Sequence, residues 1–459
     1  MSLKVADVGH VLLALCVLLL VARAGGHVFR RLRQPPVVGE IVGGIVLGPS
    51  LLGLLLPDLQ AWLLPGEGAA ASALGIFYHL GLLLLVYQTG VGMRRYTTGF
   101  ARRTIAAITV AGLLIPFALG FLLARAVGVD DLTGRAGTPD SLALVFGMAV
   151  AVTSVPVISR IMFDLNIMGT RFSKIVLTVA VIEDIVLYVV LAIVLGLSQR
   201  KGGDVYGLLA ATGIESTAWT VVYFAVVPGL FLSLLLWQGP RAIGWFSRKR
   251  GGASSVQSSV LADRLVLVFI LCASCIGLGI DPIFGALVAG MCSPEATKGE
   301  GEAVTELNSL AMNFLVPVYF AIVGLRLDLV RQFDFAFFGW FAVFACAAKF
   351  GSVWIGARLA GEEGRSAINL AMAMNARGGP GIVLASVTYE AGVINESFFV
   401  SLVVLSILTS QASGVWLGRA VSRGWIETLP HTPRSPEPTA TQPHALLRSE
   451  VGTKGRNSP

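Results

Sequence analysis

The chain has 459 residues, of which 55% are hydrophobic and 13% charged. Soluble domains carry about 25% charged residues, so a soluble globular domain is excluded and a polytopic membrane protein is indicated. The formal charge of +7 does not make a nucleic-acid binder, because the basic residues sit in short loops between apolar runs and report orientation instead.

Hydropathy, punctuated by Gly, Pro and charge, predicts thirteen spans: 8–29, 36–56, 72–93, 103–127, 141–163, 172–197, 216–237, 260–279, 282–293, 307–325, 336–359, 365–391 and 395–420. The first is read as a retained span, since Arg30, Arg31 and Arg33 would lie just past any signal-peptide cleavage site. If the loop carrying those arginines is cytoplasmic, so are the loops carrying Arg94 to Arg103, Arg171 with Lys174, and Arg241 to Arg250. The opposite loops 57–71, 280–282 and 391–395 contain no Lys or Arg, which puts the N-terminus outside and the C-terminus inside. Glu40 in the second span sits near the cytoplasmic interface, and His79 in the third reads as a hydrogen-bonded packing residue. The five cysteines all fall in apolar segments. The spacing Cys272-Ala-Ser-Cys275 has no second pair or nearby His, so it reads as helix packing and not as a metal or redox site.

Two motifs repeat in order. Pro36-Val-Val-Gly39, with Gly44, matches Pro282-Ile-Phe-Gly285, with Gly290. Val86-Tyr87 with Gly92 and Arg94 matches Val318-Tyr319 with Gly324 and Arg326. Seven spans separate the partners, and an odd separation reverses their direction through the membrane, as in an inverted-topology repeat. The expected organisation is a membrane domain over 1–425, made of repeat one at 8–197, a linker helix at 216–237 and repeat two at 260–420. A tail at 426–459 with six prolines is expected to be disordered.

The fifth and twelfth spans, partners in that repeat, are both interrupted, by Thr153-Ser154-Val155-Pro156 and by Arg377-Gly378-Gly379-Pro380-Gly381. Each break leaves unpaired backbone groups at membrane depth, which is tolerated only inside protein or around a wet cavity. Carbonyls there, with the Thr153 and Ser154 hydroxyls, suit a dehydrated cation. Glu183 and Asp184 are the only charges between Ile175 and Gln199. Each ionised acid at a helix centre costs roughly 2.5–3.5 kcal/mol, so the pair needs a partner, water or a proton. Lys349 is the only charge in 335–355 and needs a partner as much, which either acid would supply. Neighbouring residues on a helix point about 100° apart, so one carboxylate is free to face a cation cavity while the other faces Lys349. Arg377 is read as compensating unpaired carbonyls and the negative ends of half-helices.

These residues resemble the cation:proton antiporters, specifically the branch that includes bacterial sodium/proton exchangers, glutathione-gated potassium efflux systems and plant cation/proton exchangers. The resemblance runs from about 8 to 420 and rests on PPVVGEIVGGIVLGPSLLG, AVTSVPVISRI, IEDIV, DPIFGALVAGM, VPVYFAIVGLRLD, the Lys349 span and NARGGPGIV. It implies an all-α fold of about thirteen helices with an inverted repeat, two crossing broken helices, a dimerisation domain and a core that moves like an elevator. It also implies a homodimer in a bacterial plasma membrane. Asp184 looks like the family's essential ion-binding acid and Lys349 like its intramembrane lysine. The residue before that acid is usually Asp in electrogenic members and Asn or Gln in others, whereas here it is Glu183. The expected activity is exchange of a monovalent cation, Na⁺ or K⁺, for protons. Asp184, Glu183, Lys349 and Arg377 would act in transport, Thr153 and Ser154 would join the two acids around the cation, and no cofactor is expected. The alternatives are proton-coupled export of a larger organic ion on the same scaffold, or a cation channel. Neither a catalytic Gly-x-Gly-Asp or His-Glu-x-x-His motif nor a phosphate-cradling loop is present, so an intramembrane enzyme and a primary pump are not expected.

Overall fold

The computed structural model describes residues 4–32, 34–94, 101–168, 170–202, 256–293 and 309–427, with scattered positions between 208 and 231. The span expected at 216–237 falls almost wholly outside the described residues, and so does the tail beyond Glu427. Every other expected span is helical. The helices are α1 (Val5–Arg31), α2 (Pro36–Leu47), α3 (Leu52–Leu55), α4 (Pro57–Leu63), α5 (Ala69–Arg94), α6 (Arg102–Val127), α7 (Pro139–Ala151), α8 (Val155–Asp164) and α9 (Arg171–Gly202). They continue with α10 (Val256–Gly277), α11 (Pro282–Cys292), α12 (Val316–Leu325), α13 (Phe335–Leu359), α14 (Gly364–Ala373), α15 (Gly378–Glu390) and α16 (Glu396–Ser422). Among the described residues, seven helices are long and apolar enough to cross a bilayer, and the shorter apolar ones sit between them. Large apolar side chains point outward from several of these, including Leu12 and Leu20 on α1, Val110 and Leu122 on α6, and Val343 and Leu359 on α13. In water such a belt would be a liability; against lipid it is the expected surface.

One element boundary departs from the hydropathy reading, and one helix carries an irregular turn, each for a backbone reason. The second span does not run unbroken to 56: α2 stops at Leu47, because Gly48 precedes Pro49 and a residue before proline is pushed out of the helical region. The tenth span contains a π-helical turn, Ala311–Leu315, just ahead of Pro317, whose missing N–H disrupts the regular hydrogen-bond ladder.

Close helix pairs follow the repeated glycines. A Cβ at Gly39 would strike the Gly25 backbone of α1, and one at Gly285 would strike the Leu271 and Cys272 backbone of α10. Gly44 lies against the Ala321 carbonyl of α12, while Gly290 lies against the Tyr87 carbonyl of α5. Ile41 and Leu287, at matching places in the two motifs, receive Gly324 and Gly90. Each copy of the first motif thus packs on the second motif of the other copy, so small residues let the backbones touch at equivalent places. Cys272 and Cys275 are buried free thiols in this packing. His79 corrects the expectation of a packed residue: it lies on an exposed face of α5 with its ring edge-on to Tyr78.

The two interrupted helices meet at their breaks. Ser154 N–H donates to the Ala376 carbonyl at 2.6 Å, and the Thr153 hydroxyl donates to the Met374 carbonyl at 2.8 Å. Gly378, with φ +35°, sits against Val157 and the Ser154 hydroxyl, where a side chain would meet Val157 Cγ2 at 2.3 Å. The amides that open α15 are covered by α16, with Arg377 N–H donating to Thr409 Oγ1 at 3.4 Å and Gly378 N–H to Ser410 Oγ at 3.0 Å.

Candidate functional site

Helix α9 carries Glu183 and Asp184 into the protein interior at 0% and 1% exposure. The turn of the helix sends them different ways. Glu183 Oε2 accepts from Lys349 Nζ at 2.8 Å, and both side chains are fully buried. Asp184 instead lines a narrow cavity of about 20 Å³, room for about one water molecule, with Met148, Val152, Tyr188, Pro380 and Val383. One oxygen of each acid, Glu183 Oε1 and Asp184 Oδ2, is buried without a hydrogen-bond partner. An unpaired buried carboxylate oxygen is costly unless a cation or proton takes it.

Lys349 has three donors and three acceptors. Besides Glu183 these are the Ala151 carbonyl at 2.6 Å and the Gly112 carbonyl at 2.8 Å. Both carbonyls are free for a stated reason. Ala151 ends α7 at the break, so no residue four places on returns a helical N–H. Gly112 lies in mid-helix, but the residue four places on is Pro116, which has no N–H to give.

Arg377 is fully buried and serves the same half-helix end. Its Nε donates to the Ala149 carbonyl at 3.1 Å, and Nη2 donates to Val150 at 3.2 Å and to Ala345 at 2.8 Å. Its Nη1 donates to the Asn375 side-chain oxygen at 2.8 Å and the Asn375 carbonyl at 3.3 Å. Two cations therefore take the last three carbonyls of α7, whose end carries roughly half a negative charge.

Of the residues singled out in the sequence, Asp184 and Pro380 lie on the wall of that cavity, with Val152 beside Thr153, while Gly378 and Arg377 each line a smaller one. Glu183 faces Lys349, and Arg377 faces carbonyls. The Thr153 hydroxyl hydrogen goes to Met374, and Ser154 Oγ accepts from Val157 N–H at 3.3 Å to cap α8. Among the described residues no three His, Cys, Asp or Glu side chains gather as they would around a tightly held metal.

Sequence reasoning missed three parts of the electrostatics. Pro116 was one; a proline inside an apolar span, four residues after a glycine, was the available signal. The second is Glu362, between α13 and α14, which takes Arg171 Nη1 at 3.0 Å, Arg171 Nη2 at 2.5 Å, Ser366 Oγ at 2.9 Å and Thr104 Oγ1 at 3.3 Å. Its carboxyl is held below the usual range, first by the Arg171 hydrogen bonds. The third lies at the opposite end, where Arg326 pairs with Glu390 at 2.6 Å and covers the Tyr78 ring at 4.4 Å from its centroid.

A multi-pass helical membrane protein whose broken helices meet beside buried acids and cations belongs to the class of secondary transporters that place their site at the repeat interface. The profile of the family described as "Sodium/hydrogen exchanger, transmembrane" matches residues 15–423, and the chain belongs to that family. It is 27% identical over 403 residues to the Na(+)/H(+) antiporter NhaS4 of Synechocystis, covering 87% of this chain and 94% of that protein. It is 25% identical to Cation/H(+) antiporter 18 of Arabidopsis thaliana and 26% identical to K(+)/H(+) antiporter 1 of Saccharomyces cerevisiae. The chain spans only 47% and 44% of those two relatives. The sodium proton antiporter MjNhaP1 of Methanocaldococcus jannaschii, solved at pH 8, has the same fold at 15% identity, with a TM-score of 0.60 over 91% of this chain and 98% of that one.

Proposed function

We propose that this protein exchanges a monovalent cation for protons, with Asp184 as the group that binds one or the other. The observation that carries this is the unpartnered Asp184 Oδ2, buried on the wall of a cavity between the two broken helices. A carboxylate so placed holds a cation or a proton but not both fully, and that competition couples two flows in opposite directions. Membership of the exchanger family supports the reading.

Glu183 and Lys349 supply the other half. While Asp184 is empty, Lys349 neutralises Glu183; a cation entering beside the acids allows Glu183 to exchange its partner. Thr153 is placed to offer lone pairs, since its hydrogen is already committed. Arg377 is a positioning residue that fixes the end of α7. The swapped glycine packing supports two inverted copies at about 8–197 and 260–420, and the family's dimerisation domain supports a homodimer. The basic loops support an outside N-terminus and a cytoplasmic C-terminus, and the setting proposed is a bacterial plasma membrane. Na⁺ and K⁺ are both candidates, as the relatives named for each carry them.

The test is exchange in everted vesicles or proteoliposomes, read by a pH dye as Na⁺, K⁺, Li⁺ and Rb⁺ are added in turn. Asp184→Asn is expected to insert normally and to show no cation-dependent dequenching. Exchange by that variant near the wild-type rate would overturn the assignment.

A further inference from the structure

For Asp184 to meet the two sides of the membrane in turn, a helix that covers it must shift against one that does not. Helix α15 is such a cover, since Pro380, Val383 and Leu384 form part of the wall around Asp184. Another face of it turns to α12. Ser386 and Glu390 are four positions apart and so share a stripe of α15, as Tyr319 and Arg326, seven apart, share one of α12. The stripes meet at two points. The Tyr319 hydroxyl donates to Ser386 Oγ at 3.4 Å, and Arg326 Nη1 donates to Glu390 Oε1 at 2.6 Å.

The two sides of this contact are built differently. On the α12 side the parts are fixed. A Cβ at Gly81 of α5 would meet the Leu315 carbonyl at 2.5 Å and Tyr319 Cβ at 2.7 Å, so α5 lies hard against the chain where α12 begins. Tyr78 and Tyr319, 1% and 0% exposed, have ring centroids 5.1 Å apart, and the Arg326 guanidinium sits 4.4 Å over the Tyr78 ring. On the α15 side, Glu390 is the last residue of its helix, and the chain turns away at Gly392, φ +68°. Both charged side chains keep access to water, at 36% and 26% exposure, so parting them strands neither. The 3.4 Å bond below them is beyond the usual range for two hydroxyls. The Tyr78 hydroxyl, buried beside Ser386 and Glu390, has no hydrogen-bond partner in this arrangement. The opening amides of α15, by contrast, are bound to α16 by buried hydrogen bonds.

We propose that the Arg326–Glu390 pair is a latch: it holds the outer end of α15 against α5 and α12, closes the outer approach to Asp184, and parts each time the site opens to that side. The latch rests on the exchange and the orientation proposed above.

The experiment measures exchange of Na⁺ and K⁺ for protons in right-side-out and in everted vesicles, read by a pH dye. Arg326→Cys with Glu390→Cys is bridged by a short bifunctional methanethiosulfonate, and wild type, which has five cysteines of its own, is treated alongside as the baseline. The bridged protein is expected to lose exchange and to regain it when a reducing agent cleaves the bridge. Glu390→Gln removes the pull while leaving the buried contacts of α15 in place. It is expected to strengthen apparent cation affinity at the outer face and weaken it at the cytoplasmic face, the larger shift being about twofold to fivefold, the bias that a partly exposed ion pair supplies. A loss of stability alone moves both faces the same way or neither. A bridged protein that exchanges at the baseline rate overturns the latch, and so does a Glu390→Gln affinity that is unchanged or moves the same way at both faces. Should the double variant fail to fold, Glu390→Gln decides alone. A wild type without exchange in these vesicles overturns the exchanger reading itself, and the latch with it.

Discussion

At the first break the last three carbonyls of α7 go to two full positive charges, Arg377 and Lys349. At the second, the carbonyls around the end of α14 go mainly to neutral donors: Met372 to the Ser413 hydroxyl at 2.7 Å, Met374 to the Thr153 hydroxyl, and Ala376 to the Ser154 amide. Both helices are interrupted for the same reason, and both leave orphaned carbonyls. The difference is what lies beside them. Glu183 and Asp184 stand next to the end of α7, and cations there offset two acids and a helix dipole together. A charged cap is placed where negative charge must be held, and neutral caps suffice where only hydrogen bonds are missing.

The largest effect that would test this contrast belongs to Arg377. Arg377→Ala strips partners from the Ala149, Val150 and Ala345 carbonyls and from Asn375 at once, a loss of roughly 3 kcal/mol or more. The expected result is a large fall in the melting midpoint in detergent, and a midpoint equal to wild type would break the comparison. Lys349→Gln should come next, at about 3 kcal/mol, because it leaves Glu183 buried without its counter-ion as well as two carbonyls unpaired. Its apparent cation affinity, measured across a pH series, is expected to fall at low pH and recover toward high pH. If the variant melts earlier yet its affinity profile overlays wild type, Lys349 is a purely structural cap.

The neutral break should respond less. Thr153→Val keeps shape and removes one hydrogen bond to Met374, so about 1 kcal/mol is expected in the same melts; a loss as large as that of Arg377→Ala would erase the distinction between the breaks. The smallest effect is at Glu362. Its folded-state carboxyl titrates below the unfolded one, so its stabilisation is present in full above about pH 4.3 and fades as pH falls through the lowered value. Wild type should therefore lose melting temperature on acidification more steeply than Glu362→Gln, and parallel slopes would show that the Arg171 pair contributes nothing.

Much of this was legible in the sequence because it depends on composition and backbone chemistry. Apolar runs located the helices. Proline and glycine located both breaks, and the rarity of charge at membrane depth singled out Glu183, Asp184 and Lys349. What could not be read was azimuth. That Glu183 and not Asp184 meets Lys349 depends on how α9 is rotated against α13, and interhelical packing sets that rotation. Glu362 was hidden differently: with Arg171 and Arg358 it looks like ordinary loop charge, and only the folded chain brings residues 104, 171 and 362 together.

Pro116 and Lys349 are 233 positions apart in the chain, yet they form a single chemical unit, because the proline withholds the hydrogen that the lysine supplies to Gly112. Any other residue at 116 would bring back an amide competing for that oxygen. The two sites should therefore be non-additive in a double-mutant cycle, with replacement of the proline mattering in the presence of the lysine and far less in its absence.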